Sequence, residues 1–491
     1  MEQNESGRSR LLEQVLDLSR QLREEIPALG PQLVEIESRA EAPLRVSIAG
    51  KIKAGKSTLL NALIGARLAA ADAAECTKVV TWYRHGDTLT VEGEGVDGAT
   101  LSLQGAMGPN GFEIDLAGRT ADAFSRLTLS APLDPLRSMT MIDTPGTASI
   151  SKDIAAKSLD FLTPDGEETT PTDAVIYLMR HVHKADVAFL HAFHDREFSA
   201  PSPVNCVGVL SRADEIAVGR ADAMESARDI ASTYSDDPRL RRLVQSVVPV
   251  SGLLAQASTT IDANDLKLLQ SLASASDVDQ TLALLSVSRF MATDALSEAS
   301  EQRHRTLNRL SLYGVRNATT LLRSNPSIQL PQLQEALLRE SGLDELQSLL
   351  TALFASRASV LKARSALLAI QNIAENQELP RAVTNELEKI QVSAHELTEL
   401  RTLNLLRDNS YGLTNEFLAD AERLLGGSGP SAATRLDTAD DDPKALQAAA
   451  LVELQRWRAL GADPLAPRSV STITDIVART CEGIWAGLAK G

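Results

Sequence analysis

Apolar side chains at Leu11, Val15, Leu18, Leu22 and Ile26 fall three or four residues apart, which predicts an amphipathic helix over residues 9–26. Pro27 and Pro31 interrupt it, and the pattern resumes at Leu33 and Ile36. Such a stripe needs an apolar cover from elsewhere in the chain. From residue 44 to about 252 the periodicity changes to short apolar runs with helical patterns between several of them. The runs lie at 44–49, 79–84, 89–92, 127–130, 139–142, 175–179, 204–210 and 247–250. Buried strands alternating with helices predict an α/β unit with a doubly wound, mostly parallel sheet. His85, Gly86 and Asp87 stand between two of the runs and predict a hairpin turn.

Beyond about residue 260 the strand signals end, and helical periodicity runs through 281–309, 315–324, 331–340, 343–378 and 381–425. In the last of these, Val383, Leu387, Ile390, Ala394 and Leu397 form one packed seam. Pro380 divides two long helices, which predicts an antiparallel hairpin. Residues 426–443, GGSGPSAATRLDTADDDP, have almost no bulky apolar side chains and read as a flexible linker. A final helix carries Val470, Ile473, Val477, Cys481, Ile484 and Leu488 on one face, the natural cover for the N-terminal stripe. The expected division is an N-terminal bundle helix (1–42), an α/β domain (43–255) and an extended helical bundle forming a neck or trunk (256–425). The linker (426–443) and C-terminal helices returning to the bundle (444–491) complete it.

Composition narrows the setting. Apolar residues are 43% of the chain but aromatics only 3%, which favours helix packing over sheet sandwiches. A formal net charge of −16 argues against a nucleic-acid partner, because neutralising phosphates needs clustered Lys and Arg. Cys76, Cys206 and Cys481 form no C-x-x-C pair, as expected in a reducing compartment. The opening residues MEQNESGRSR do not resemble a signal peptide, and no apolar run reaches the ~18 residues of a membrane span. The expectation is a cytoplasmic chain that meets a membrane from its surface.

Chemistry enters at residues 48–63, IAGKIKAGKSTLLNAL. Gly50, four residues, then Gly55-Lys56-Ser57 is the spacing of a phosphate-binding loop, preceded by an apolar strand and followed by a helix at 57–64. Gly50, Lys51, Ala54, Gly55, Lys56, Ser57 and Thr58 are the predicted phosphate contacts, with Lys56 on the β- and γ-phosphates and the Ser57 hydroxyl on Mg2+. Asp143-Thr144-Pro145-Gly146 follows another strand: Asp143 can hold Mg2+ through water, and the Gly146 N–H can sense the γ-phosphate.

Ser211-Arg212-Ala213-Asp214, after a third strand, resembles the guanine-reading Asn/Thr-Lys-x-Asp signature of GTPases. Asp214 is the predicted acceptor for guanine N1–H and N2–H. Arg212 can lie along the base, although Ser211 and Arg212 both depart from the usual residues. Ser251 and Gly252 fit the weaker final motif, where backbone touches the base. Thr77, between the loop helix and the next strand, is the preferred threonine for closing on Mg2+ and the γ-phosphate, ahead of Thr58 and Thr81. His181, His183, His191 and His194 form an H-x-H and an H-x-x-H run, but no acidic ligand or cysteine completes a zinc spacing.

These motifs, in the order helix, nucleotide domain, long helical bundle, resemble the dynamin-like GTPases. The nearest branch is the bacterial one that includes the mycobacterial isoniazid-inducible dynamin-like proteins. The resemblance is carried by AGKIKAGKSTLLNALIG, ECTKVVTWYR, MIDTPG, DAVIYLMRHVHKADVAFLHAF, VLSRADE and the bundle segment ESGLDELQSLLTALFASRASVLKARSAL, and it spans most of the chain. It implies GTP hydrolysis to GDP with Mg2+, self-association through paired GTPase domains, and peripheral membrane remodelling at the inner leaflet. A paralogous dynamin-like protein is an implied partner. It also implies a catalytic place for Lys53, which stands where dynamins usually carry the Ser that helps hold a monovalent cation; Lys53 would supply that charge in cis, beside Lys56 and Thr77. The rival reading is a GTP-gated switch or assembly scaffold that remodels nothing; a ribosome-associated GTPase is weaker, for lack of a basic appendage. For membrane contact the sequence offers 325–333 (NPSIQLPQL), Tyr411-Gly412-Leu413 and a basic stripe of Arg357, Lys362 and Arg364.

Overall fold

A computed structural model describes residues 10–51, 53–69, 79–108, 111–145, 172–180, 186–187, 190, 205–241, 243–294, 296–354, 357–377, 379–406, 413–429, 431–439, 442–462 and 467–488. Its centre is a sheet of ten strands: β1 (Leu44–Gly50), β2 (Thr81–His85), β3 (Thr90–Gly95), β4 (Thr100–Gly108), β5 (Gly111–Asp115), β6 (Phe124–Ala131), β7 (Met139–Asp143), β8 (Ala174–Met179), β9 (Cys206–Ser211) and β10 (Val247–Val250). They run in the order β10-β9-β8-β1-β7-β2-β6-β3-β4-β5. The first five are mutually parallel; β2 turns antiparallel to β7 but pairs in parallel with β6, and β6, β3, β4 and β5 continue the far edge with antiparallel pairs.

The parallel half follows from sequence composition. Every residue of β8 and β9 is buried, because helices cover both faces. The expected hairpin at residues 85–87 does not form: β6 lies between β2 and β3 and pairs with both, and Gly86 N–H bonds instead to the Ala131 carbonyl at 3.0 Å. β4 and β5 escaped the apolar-run reading because most of β4 is exposed at the sheet edge.

Helices of eight or more residues are numbered α1 (Arg10–Glu25), α2 (Gly30–Glu41), α3 (Lys56–Ile64), α4 (Ala223–Asp236), α5 (Gly252–Thr260), α6 (Ala263–Ser274), α7 (Ser300–Ser324), α8 (Leu330–Glu340) and α9 (Leu343–Leu353). The rest are α10 (Ala358–Asn376), α11 (Arg381–Ser393), α12 (His395–Leu406), α13 (Asn415–Leu424), α14 (Pro443–Gly461) and α15 (Arg468–Leu488). The apolar core does not stop with the sheet. Leu343, Leu346, Leu350 and Phe354 join the cluster around α3 on one face, and Leu268, Leu310, Leu333 and Leu337 join that on the other.

The N-terminal stripe is covered, but not by the C-terminal helix. Leu11, Val15, Leu18 and Leu22 pack against α10 and α11, in a cluster that buries Val383, Leu387 and Ile390 of α11, the linking Ala394 and Leu397 of α12. Each fully buried leucine contributes about 2 kcal/mol of transfer free energy. Helix α15 instead pairs with α14 and meets α12 and α13 in a separate cluster around Trp457. The periodicity at 381–425 is divided among α11, α12 and α13, with non-helical backbone at Ala394.

Residues 426–443 are not a bare tether where described. They include a short helix, Ala432–Leu436, with Leu436 buried, and the Arg357 guanidinium donates to the Gly426 carbonyl. Arg357 is therefore buried rather than part of a solvated basic stripe. Ile328 and Leu333 are buried too, which removes 325–333 as an apolar membrane surface. Tyr411 and Gly412 lie outside the described residues.

One helix breaks in an instructive place. The gap in periodicity between 309 and 315 corresponds to a kink inside α7, where Ser311 has φ 56° and ψ 176°. That region is nearly restricted to glycine, and holding serine there costs on the order of 1–3 kcal/mol.

Candidate functional site

The carboxyl ends of the parallel strands share one edge. Register sets Gly50 beside Leu178, Ile48 beside Asp143, Met179 beside Leu210 and Val250 beside Ser211. Loops leaving that edge converge, and ligands of open α/β sheets bind there.

At one end of the edge is the glycine loop. Gly50 has φ 146°, and a Cβ on it would lie 2.6 Å from the Leu178 carbonyl oxygen, so the strand can turn into the loop only with glycine. Gly55, at φ 94°, opens α3. The Lys56 ammonium donates to the carbonyls of Gly50 and Lys51 at 3.2 and 3.4 Å, folding the loop around its own charge. Ser57 Oγ donates to Asp143 Oδ2 at 3.1 Å. A hydroxyl and a carboxylate so close are the hard-oxygen donors that Mg2+ takes beside phosphate, so the residues present fit that ion.

Lys51 is anchored sideways, its ammonium 2.9 Å from Asp186 Oδ2. Asp186 is buried and accepts the Tyr177 hydroxyl on Oδ1 at 2.9 Å. Lys53 takes φ 62° and is exposed. Thr77, Gly146, His181, His183, His191 and His194 lie outside the described residues.

At the other end, Asp214 is buried and accepts the Ser251 hydroxyl at 2.7 Å. Ser251 also caps α5 by accepting from Leu254 N–H at 3.3 Å, so one serine fixes both the carboxylate and the helix that carries Gly252. Ser211 Oγ donates to the Met179 carbonyl at 3.3 Å, tying β9 to β8 rather than reaching outward. Arg212 takes φ 55° and donates to Glu215 at 2.8 Å, and Arg180 pairs with the same carboxylate.

Between the two ends is a cavity of about 190 Å³, bordered by Gly55, Thr58, Ser211, Arg212, Asp214 and Gly252 among others. The predicted phosphate-loop and guanine-reading residues thus meet around one space. The arrangement can direct the phosphates of a single nucleotide to α3 and a donor-rich base edge to Asp214.

Sequence reading missed the helical region's share in this site. The Ser341 carbonyl accepts Ser251 N–H at 2.9 Å, and a Cβ on Gly342 (φ 76°) would lie 2.3 Å from the Pro249 carbonyl oxygen. Arg316 of α7 donates to the Gly219 carbonyl, which closes the turn after Asp214. Tyr313 donates to Glu340 at 2.5 Å, and burial, then that carboxylate, pushes its phenol above the ordinary value. Ser311 itself borders the cavity. None of these residues belongs to a contiguous nucleotide motif.

Fold and site together define a phosphate-loop GTPase. A family model described as 50S ribosome-binding GTPase matches residues 45–200. The isoniazid-induced protein IniC of Mycobacterium tuberculosis, from strains CDC 1551 and H37Rv alike, is 34% identical over 437 residues, covering 88% of each chain. The chain belongs to that family, the bacterial dynamin-like GTPases. Among solved structures, an oligomerised bacterial dynamin pair, described as sensing and tethering membranes, matches at 14% identity. It covers 98% of this chain and 75% of that one, with a TM-score of 0.31. The G domain of the Thermotoga maritima FeoB iron transporter matches at 15% identity over 43% of this chain and 87% of its own, with a TM-score of 0.20. Superpositions that loose leave the family assignment to the sequence relative.

Proposed function

We propose that this dynamin-like GTPase binds GTP along the described edge, hydrolyses it with Mg2+, and couples hydrolysis to pairing of GTPase heads on a membrane surface. Gly50, Lys51, Ala54, Gly55, Lys56, Ser57 and Thr58 hold the phosphates, while Ser57, Asp143 and Thr77 hold Mg2+, which would neutralise phosphate charge when bound. Gly146 senses the γ-phosphate. Asp214 selects guanine, with Arg212 along the base and Ser211, Ser251 and Gly252 shaping its pocket. Lys53 supplies positive charge in cis to the oxygens that gain charge as the phosphoryl leaves. What carries the reading is one observation: the Ser57–Asp143 pair and the Ser251–Asp214 pair bound the two ends of the same strand edge.

Attachment to the cytoplasmic face of the inner membrane rests on family membership. Among the described residues no helix is long and apolar enough to cross a bilayer. Burial of Ile328, Leu333 and Arg357 favours contact through a second copy or a paralogous partner, and keeps a GTP-gated scaffold as the second reading. Flotation with anionic liposomes separates the two. Membrane remodelling predicts co-flotation with a non-hydrolysable GTP analogue and loss of it with GDP, with the paralogue added if the chain alone stays below. Absence from the liposome fraction in every state leaves the scaffold.

A further inference from the structure

The cavity between the phosphate loop and Asp214, about 190 Å³, is smaller than the roughly 300 Å³ at which small-molecule pockets usually begin. A guanosine therefore has to widen it. Most of its walls are strand ends of the sheet and the start of α3. Leu178 and Val209 belong to the inner strands β8 and β9, Val250 ends the edge strand β10, and a Cβ on Gly252 would lie 3.4 Å from the Leu59 backbone nitrogen of α3. Among the described residues, Ser311 is the wall residue that comes from the helical region.

Two unfavourable features coincide on that residue. Its backbone occupies φ 56°, ψ 176° in the interior of a 25-residue helix. Its Oγ is buried with no hydrogen-bond partner among the described residues. Return of Ser311 to helical backbone would relieve both and withdraw it from the cavity. Just after Ser311 the helix is tied twice, through Tyr313 to Glu340 at the end of α8 and through Arg316 to the turn after Asp214. A change at residue 311 is therefore felt by the segment that carries Ser341 and Gly342.

We propose that Ser311 is a positioning residue of the nucleotide site: guanine nucleotide entering the base pocket favours the unkinked form of α7, so affinity and the backbone state at residue 311 are linked. The linkage is reciprocal, so whatever favours the kink weakens the nucleotide. This rests on the nucleotide reading given above and adds a wall to it from outside the GTPase motifs.

Comparing Ser311→Gly with Ser311→Ala isolates the backbone, since neither has the hydroxyl. Glycine accepts φ 56° readily and is poor in a helix, whereas alanine is the reverse. Calorimetry with GDP and Mg2+ is expected to give a Kd for Ser311→Gly at least about fivefold weaker than for Ser311→Ala. Hydrogen exchange should show GDP slowing the amides of residues 307–315 in the unsubstituted protein, a response that a purely structural role would not give. Equal affinities of the two variants, or exchange at 307–315 that ignores GDP, would overturn the role of Ser311. Failure of the unsubstituted protein to bind GDP is a separate result that overturns the nucleotide reading itself.

Discussion

Asp214→Asn is expected to weaken GTP binding by about two to three orders of magnitude while strengthening binding of xanthosine triphosphate. The carboxylate is buried and held by Ser251 at 2.7 Å, so its position is set before any base arrives. Hydrogen bonds to a charged acceptor are worth about 1.5–3 kcal/mol each, and guanine offers two donors to it. Losing that pair costs about 3–4 kcal/mol, which is a factor of 10²–10³ in Kd. The amide oxygen can still accept from Ser251, so the fold is retained. Its NH2 group repels the guanine N2 donor but meets the C2 carbonyl of xanthine. Competition of the two nucleotides for the variant, followed by calorimetry, measures the exchange of preference. Equal loss for both nucleotides would mean that Asp214 acts only as a structural acceptor for Ser251.

Two of the three lysines of the phosphate loop, Lys56 and Lys53, should separate binding from chemistry. Lys56 donates to the loop's own carbonyls at 3.2 and 3.4 Å, so its ammonium already sits inside the ring that surrounds phosphates. Lys56→Ala removes a charge used by ground state and transition state alike, and both affinity and turnover should fall, turnover by about 10²–10³. Lys53 is exposed. Lys53→Ala should keep GTP affinity within about threefold and lower turnover by ~10-fold or more, the mark of an interaction made in the transition state. Unchanged turnover in Lys53→Ala would reduce Lys53 to a solvated loop residue.

Much of this site is legible in the sequence because each part is a short contiguous motif at a strand end. Gly50 ends β1, Lys56 and Ser57 follow it, Asp143 ends β7, and Asp214 and Ser251 follow β9 and β10, so reading the strands places the residues. What the sequence hides are contacts between residues far apart in the chain. Ser251 N–H meets the Ser341 carbonyl, and Ser311 faces the pocket only because α7 crosses it. Lys51 and Asp186 are likewise paired across the sheet edge without a shared motif.

The same limit explains the helical region. An apolar stripe says that a helix needs a cover but not which one, so α1 and α15 each looked like the other's partner. In the fold α1 goes to α10 and α11, and α15 to α14. Polarity misled at residues 426–443, where glycines pack closely because they lack side chains, with Gly426 against Arg357. The antiparallel strands beyond β2 were partly missed for the opposite reason. Edge strands such as β4 expose too many side chains to produce an apolar run.

The central claim is that GTP hydrolysis here is driven by heads meeting one another. The most direct test is GTP turnover per molecule against protein concentration, first in solution and then with anionic liposomes. The account predicts a specific rate that climbs with concentration and climbs again on liposomes, as the membrane concentrates the heads. A slow specific rate, indifferent to both, would contradict it and leave a GTP-gated switch or scaffold.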